Sequence, residues 1–443
     1  MSRRRAILLL AVSLSIVLGS YLVASRVPAA RTSGGASLGL GDTVPAYGMM
    51  TTDQLVVFWR DRAEADPRDY ISLAFLGEAF LRKARETGDV GDYGRAEAAL
   101  RQALAINPNY EPTIAYLSAV RFAQHDFAGA LDLARRVYKA DPRAVQALAT
   151  IGDAQLELGN YPDAAATYRE LANRSPGPAV SGRLARLAWL QGRPDEALQR
   201  MQQAVDEAMA LGLAGENAAW YQFQLGELCF NTGHPDEAAE HYAAAEALFP
   251  NYYLGLAGLG KVRAAQGRYA EAIALYERAV AIIPQPDFLA ALGDLYALAG
   301  RPDDAQRQYE TVEFIGHLAA INQVVYNRQL ALFFANHDRQ VDAALGLASQ
   351  EYAVRKDVYG GDALAWALYK NGRYQEAATA IDGAMALGTR DALLYYHAGM
   401  ISEGLGDHPR ARTLLAEALS INPHFDPVQA RIARATLDRL RTP

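Results

Sequence analysis

Apolar side chains recur three or four positions apart along most of this chain, as at Tyr269, Ile273, Tyr276 and Val280. That interval lines up one face of an α-helix, and it predicts short amphipathic helices in series. One stretch breaks the pattern. Ala6 to Ala24 carries no charge, and its 19 residues would reach roughly 28 Å as a helix, close to the ~30 Å hydrocarbon core of a bilayer. Arg3, Arg4 and Arg5 precede it, while only Arg26 and Arg31 follow closely. By the positive-inside rule the N-terminus stays cytoplasmic and the remainder is sent across. Residues 1–32 then form either an uncleaved signal-anchor or a signal peptide cut near Val27-Pro28-Ala29. The expected location is membrane-anchored, with the bulk of the chain periplasmic or at the cell surface, or secreted if the leader is removed. Residues 33–50, with Ser33-Gly34-Gly35 and then Gly39, Gly41 and Pro45, read as a flexible tether.

Prolines punctuate the helical stretches at a fixed interval. Pro108, Pro142 and Pro176 stand 34 residues apart, as do Pro250 and Pro284. A period near 34 marks stacked helical hairpins. Inside the periods a Gly-Arg/Asn-Tyr/Pro-x-Glu/Asp-Ala signal separates two halves, at Gly159–Ala164, Gly192–Ala197, Gly267–Ala272, Gly300–Ala305 and Gly372–Ala377. The glycine can close a helix in the left-handed conformation, and the acid complements the dipole of the next helix. Ten units begin near Tyr70, Glu111, Val145, Pro178, Ala219, Tyr253, Pro286, Val325, Val358 and Ala392. The eighth lacks the Gly and Tyr of the motif.

These residues resemble the tetratricopeptide repeat. In one unit Leu259 and Gly260 supply the first helix, Ala272, Tyr276 and Ala279 the second, and Pro284 the close. The resemblance implies an all-α fold, an α-solenoid wound as a right-handed superhelix of about ten hairpins. The repeats occupy 67–425, with capping helices at 51–66 and 426–443 that shield the end faces. It also implies a concave wall that binds a protein or peptide segment. The carboxylate clamp of chaperone adaptors does not carry over, because its positions hold Ala74, Ala115, Ala149, Gly182, Phe223, Ala257 and Ala290. An asparagine ladder is absent too.

Composition narrows the rest. The 443 residues hold 43 basic and 50 acidic side chains, a net charge of −7. Residues 1–32 hold five arginines and no acid, leaving 38 basic against 50 acidic. That argues against a nucleic-acid surface, which needs a basic stripe. One cysteine, Cys229, excludes a disulfide framework or a multi-cysteine zinc site. Gly255-x-x-x-x-Gly260-Lys261 has phosphate-loop spacing, but Val262 follows and no strand precedes it, so it reads as repeat helix. No cofactor, metal or catalytic constellation emerges, and the chain reads as a non-enzyme.

The wall changes character along the chain. Glu78, Asp153, Glu227 and Asp294 predict an acidic face in the early and middle units, interrupted by Arg186 and Lys261. Later units carry Tyr326, Phe333, Tyr359, Trp366, Tyr369 and Tyr396, either packed between hairpins or exposed as anchors for a partner. The expected function is a membrane-tethered scaffold for protein partners in envelope assembly or secretion. The alternatives are an accessory of polysaccharide synthesis, export or glycan binding, and a regulator of an enzyme in trans.

Overall fold

A computed structural model describes residues 50–321 and 327–441. They form 22 α-helices, numbered α1 to α22 in chain order, with no β-strand among the described residues. α1 (Thr52–Ala65) and α22 (Gln429–Arg441) lie at the ends, and the twenty helices between them pair into ten hairpins, each packed on the next. The first helices of the hairpins begin at Tyr70, Glu111, Val145, Pro178, Glu216, Tyr253, Pro286, Asn327, Val358 and Ala392. The all-α solenoid is therefore observed. The fifth hairpin starts three residues earlier than its period suggests, at Glu216.

A residue in the left-handed conformation ends the first helix of each hairpin, and where the motif occurs it is the motif's glycine. Gly159 has φ +79°, and the N–H of Asn160 reaches back to the Gln155 carbonyl at 2.8 Å, tying off the first helix of its unit. In the second unit His125 takes this position at φ +62°, and in the eighth Asp338 takes it at φ +51°. The eighth hairpin thus forms without its glycine, because Asp is among the residues that tolerate this conformation. Close approach within a hairpin rests on small residues. A Cβ added at Gly152 would lie 2.5 Å from the Tyr168 ring, and Ala164, at the motif's closing position, has no exposed surface.

The stack closes on itself. The turns of the third, fourth and fifth hairpins dock against loops roughly 190 residues later, between the eighth hairpin and α22. A Cβ at Gly159 would lie 2.4 Å from the Lys356 carbonyl oxygen, one at Gly192 2.0 Å from that of Gly388, and one at Gly233 2.7 Å from that of Ile421. The same motif glycines at 267, 300, 372 and 406 have open space around them. Hydrogen bonds hold the seam: the Thr389 hydroxyl donates to the Leu190 carbonyl, the Asn422 side-chain amide to the Phe230 carbonyl at 2.8 Å, and the Val358 N–H to the Tyr161 hydroxyl at 2.9 Å.

A buried ion cluster locks one end of this seam. Glu157 pairs with Arg186 at 2.8 Å and with Arg355 from across the seam. Arg328 and Arg355 also hold Glu351 and Asp357. Three guanidinium groups thus meet three carboxylates, all poorly accessible to water, so removing any one partner leaves a buried charge uncompensated. His125 lies beside them. Burial first, then Arg355 and Arg328, lower its imidazole to about 3, so it is neutral in the fold.

The membrane-anchored, extracytoplasmic location expected from the sequence is corrected here. Among the described residues no helix is long and apolar enough to cross a membrane. The physical reason is plain in α15 (Pro302–Ile321), which at 20 residues carries Asp303, Asp304, Arg307, Glu310 and Glu313. The run 6–24 and the tether on which the expectation rested lie outside the described residues, apart from residue 50.

Two outcomes follow from the seam. Gly300→Ala should lose about 1–2 kcal/mol, the cost of a left-handed alanine, with no change of shape. Gly192→Ala should lose that and also enlarge the radius of gyration in solution scattering, since its Cβ displaces the Gly388 backbone. The second outcome concerns acid. An unfolded histidine near its ordinary pKa takes up a proton that folded His125 refuses, so stability falls as pH drops below 6.5 toward 3, by at most ~1.4 kcal/mol per unit. Urea midpoints at pH 7 and 5 should differ less in His125→Asn than in the wild type.

Candidate functional site

Closure of the seam brings Tyr359 and Asp391 over the concave wall, which becomes a half-open cavity. A cavity of about 510 Å³ lies among the first helices of the fourth to seventh hairpins, α8 (Pro178–Leu190), α10 (Glu216–Asn231), α12 (Tyr253–Ala265) and α14 (Pro286–Leu298). The repeat builds its wall. α10 contributes Trp220, Phe223, Gln224 and Glu227, and α12 contributes Leu254, Ala257, Gly258 and Lys261, the same four positions one period on. The far side comes from across the seam, as Tyr359 at the start of α18 (Val358–Lys370) and Asp391, which caps α20 (Ala392–Gly404). The Trp189 indole donates to the Tyr359 hydroxyl at 2.7 Å, which donates on to Asp391 at 3.3 Å. One chain of hydrogen bonds therefore ties both halves of the cavity together.

Most charge on the wall is already neutralised. Residues one period apart stand side by side along a solenoid, so an acid and a base there meet. Lys261 donates to both oxygens of Glu227, at 2.7 and 2.9 Å, and the Tyr242 hydroxyl adds a third bond at 2.5 Å. Arg183 grips Asp153 with two bonds of 2.7 Å, Arg186 pairs with Glu157, and His337 and the Tyr309 hydroxyl share Asp294. Glu78 pairs with Arg82 within its own helix. The acidic face predicted from Glu78, Asp153, Glu227 and Asp294 is thus taken up internally, with Lys261, one of the two bases that interrupt it, as the partner of Glu227.

Two polar groups at the cavity stand outside this pairing. The Gln285 side chain is 1% exposed, and its Nε2 has no hydrogen-bond partner among the described residues. Asp287, in the first turn of α14, makes no hydrogen bond or ion pair among the described residues. Asp287 is exposed to solvent where it lines the cavity, and the protein packed around it raises its carboxyl to about 6. Phe288 and Tyr276 flank these groups on the same wall.

The six aromatic residues of the later units divide. Phe333, Trp366 and Tyr396 are buried in a hydrophobic core, where the Trp366 indole donates to Asn336 at 2.7 Å and stacks on His397 at 4.2 Å. Tyr369 is half-buried and stacks on Trp366. Tyr359 is half-buried and reaches the cavity. Tyr326 lies outside the described residues. Sequence reading passed over Trp189, Trp220, Gln285, Asp287 and Phe288. One signal was present: Phe223 occupies a position that holds alanine in five other units. Cys229 is buried, and burial pushes its thiol up to about 11, far from reactive thiolate character. No cluster among the described residues has the make-up of a metal site.

Comparison with known proteins places these features. Models described as tetratricopeptide repeat match residues 77–110, 178–251, 223–287 with 363–424, and 263–318, together more than half of the chain. Residues 135–207 match a model described as the C-terminal part of a virulence factor membrane-bound polymerase. No curated protein matches the chain. Among solved structures, the crystal structure of the APC/C hetero-tetramer Cut9-Hcn1 is similar at 13% identity and a TM-score of 0.32, over 88% of this chain and 93% of that one. The chain carries tetratricopeptide repeats.

Proposed function

We propose that this tetratricopeptide-repeat protein is a non-catalytic scaffold that holds a segment of a partner protein in the cavity between its fourth and seventh hairpins. The observation that carries this reading is the lining itself. Trp189, Trp220, Phe223, Tyr276, Phe288 and Tyr359 converge on one space, while both cations on its lining, Arg186 and Lys261, are paired off. Such aromatic side chains supply large contact area at small entropic cost, and they dominate the energy of protein interfaces. The cavity's size suits a few side chains of an extended segment.

The match over 135–207 favours a second reading, in which the scaffold assists polysaccharide synthesis or export. That stretch includes α8, one wall of the cavity, and aromatic rings can also stack on sugars. The two readings share a site and differ in its occupant.

Gly182 offers a clean test. A Cβ there meets nothing closer than 3.7 Å and methionine favours a helix more than glycine does, so Gly182→Met keeps its helix while adding bulk at a residue that lines the cavity. Peptides selected from a display library on the wild-type chain should bind Gly182→Met at least tenfold more weakly, with unchanged thermal unfolding. Equal binding would move the site elsewhere. Selection of neutral oligosaccharides from a glycan array, with no peptide selected, would favour the second reading.

A further inference from the structure

The two unpaired groups specify what the occupant must carry. Gln285 presents a buried amide nitrogen that lacks an acceptor, and Asp287, two residues on, presents a carboxylate that lacks a donor. A buried donor left unmatched is destabilising, so a ligand that supplies a carbonyl oxygen there relieves that cost relative to the empty cavity. Across the same wall, Arg186 and Lys261 are spent on Glu157 and Glu227, which removes the cavity's own cations. The remaining acids are Asp287 and Asp391, and Asp391 is occupied by the N–H groups of Leu393 and Leu394 and by Tyr359. Asp287 is left as a negative charge without an ion-pair partner among the described residues, on a lining it shares with Phe288, Tyr276, Trp220 and Phe223.

We propose that this corner of the cavity recognises a basic side chain, lysine or arginine, of an extended peptide, with its cationic group on Asp287 and a main-chain carbonyl of the same segment on Gln285. The inference rests on the cavity being the partner site. A carboxylate with aromatic neighbours favours a cation twice over. The carboxylate supplies the opposite charge, and a ring face nearby attracts the same cation through its quadrupole. The long apolar stem of lysine or arginine suits the same walls, since such side chains bury their methylenes while the charged head keeps its partner. An acidic segment would instead meet Asp287 as a like charge. A sugar hydroxyl could donate to Asp287, but it would leave the negative charge itself unneutralised.

The test uses the full chain and a library of decapeptides in which every position is varied. Wild-type protein should enrich peptides with Lys or Arg at one fixed position, and acetylating that lysine or replacing that arginine with citrulline should weaken binding at least tenfold. Asp287→Asn, isosteric and at an exposed position, should abolish the charge preference and weaken the selected peptides by a similar factor. Gln285→Met should weaken them regardless of charge. Unfolding of each variant is followed by circular dichroism, and neutral-peptide binding by Asp287→Asn serves as a second check on its integrity. Enrichment of uncharged or acidic peptides that still depends on Gly182 would overturn this inference while leaving the scaffold reading in place. Enrichment insensitive to Gly182→Met, or no enrichment, would overturn both.

Discussion

Everything distinctive about this molecule depends on the fit of three glycine turns against three loops about 190 residues later. A tetratricopeptide array needs contacts only between neighbours, so its ends are free to diverge. Here the turns at Gly159, Gly192 and Gly233 lie so close to the carbonyls of Lys356, Gly388 and Ile421 that no side chain fits between them. The glycine has two duties at these positions. It adopts the left-handed conformation that ends a helix, as in every unit of the motif, and it removes the atoms that would hold the two layers apart. Where the seam is absent, only the first duty remains.

That closure reshapes the electrostatics. The cluster of Glu157, Glu351 and Asp357 with Arg186, Arg328 and Arg355 would be a set of ordinary surface pairs in an open superhelix, each contributing little. Enclosed, its members compensate one another in a poorly hydrated space, and its value lies in specifying which turn meets which loop. The same reasoning covers the wall of the groove. Acids and bases at equivalent positions of successive units neutralise one another, so a lone carboxylate such as Asp287 stands out against a field that is otherwise balanced.

Much of the architecture was legible from residues alone. Eight of the ten first helices begin where the 34-residue punctuation placed them, because proline and glycine act locally and their effect needs no tertiary knowledge. The eighth hairpin forms where the motif was weakest, with Asp338 in place of glycine. The site was less legible, for a physical reason. Trp189 and Tyr359 are joined by a hydrogen bond spanning 170 residues, and no periodicity reports such a contact. Likewise Trp366 and Tyr396 carried the composition of a binding surface yet fill a core, since an aromatic stripe at helical spacing satisfies either role until its neighbours are known. Phe223, a large ring in an alanine slot, was the readable clue.

The central claim is that the solenoid is closed. Spin labels at the exposed positions 193 and 390, in a chain with the buried Cys229 replaced by alanine, report on it directly by pulsed electron resonance. Closure predicts one narrow, short distance between the labels. A broad or long distribution would contradict it, and with it the far side of the cavity.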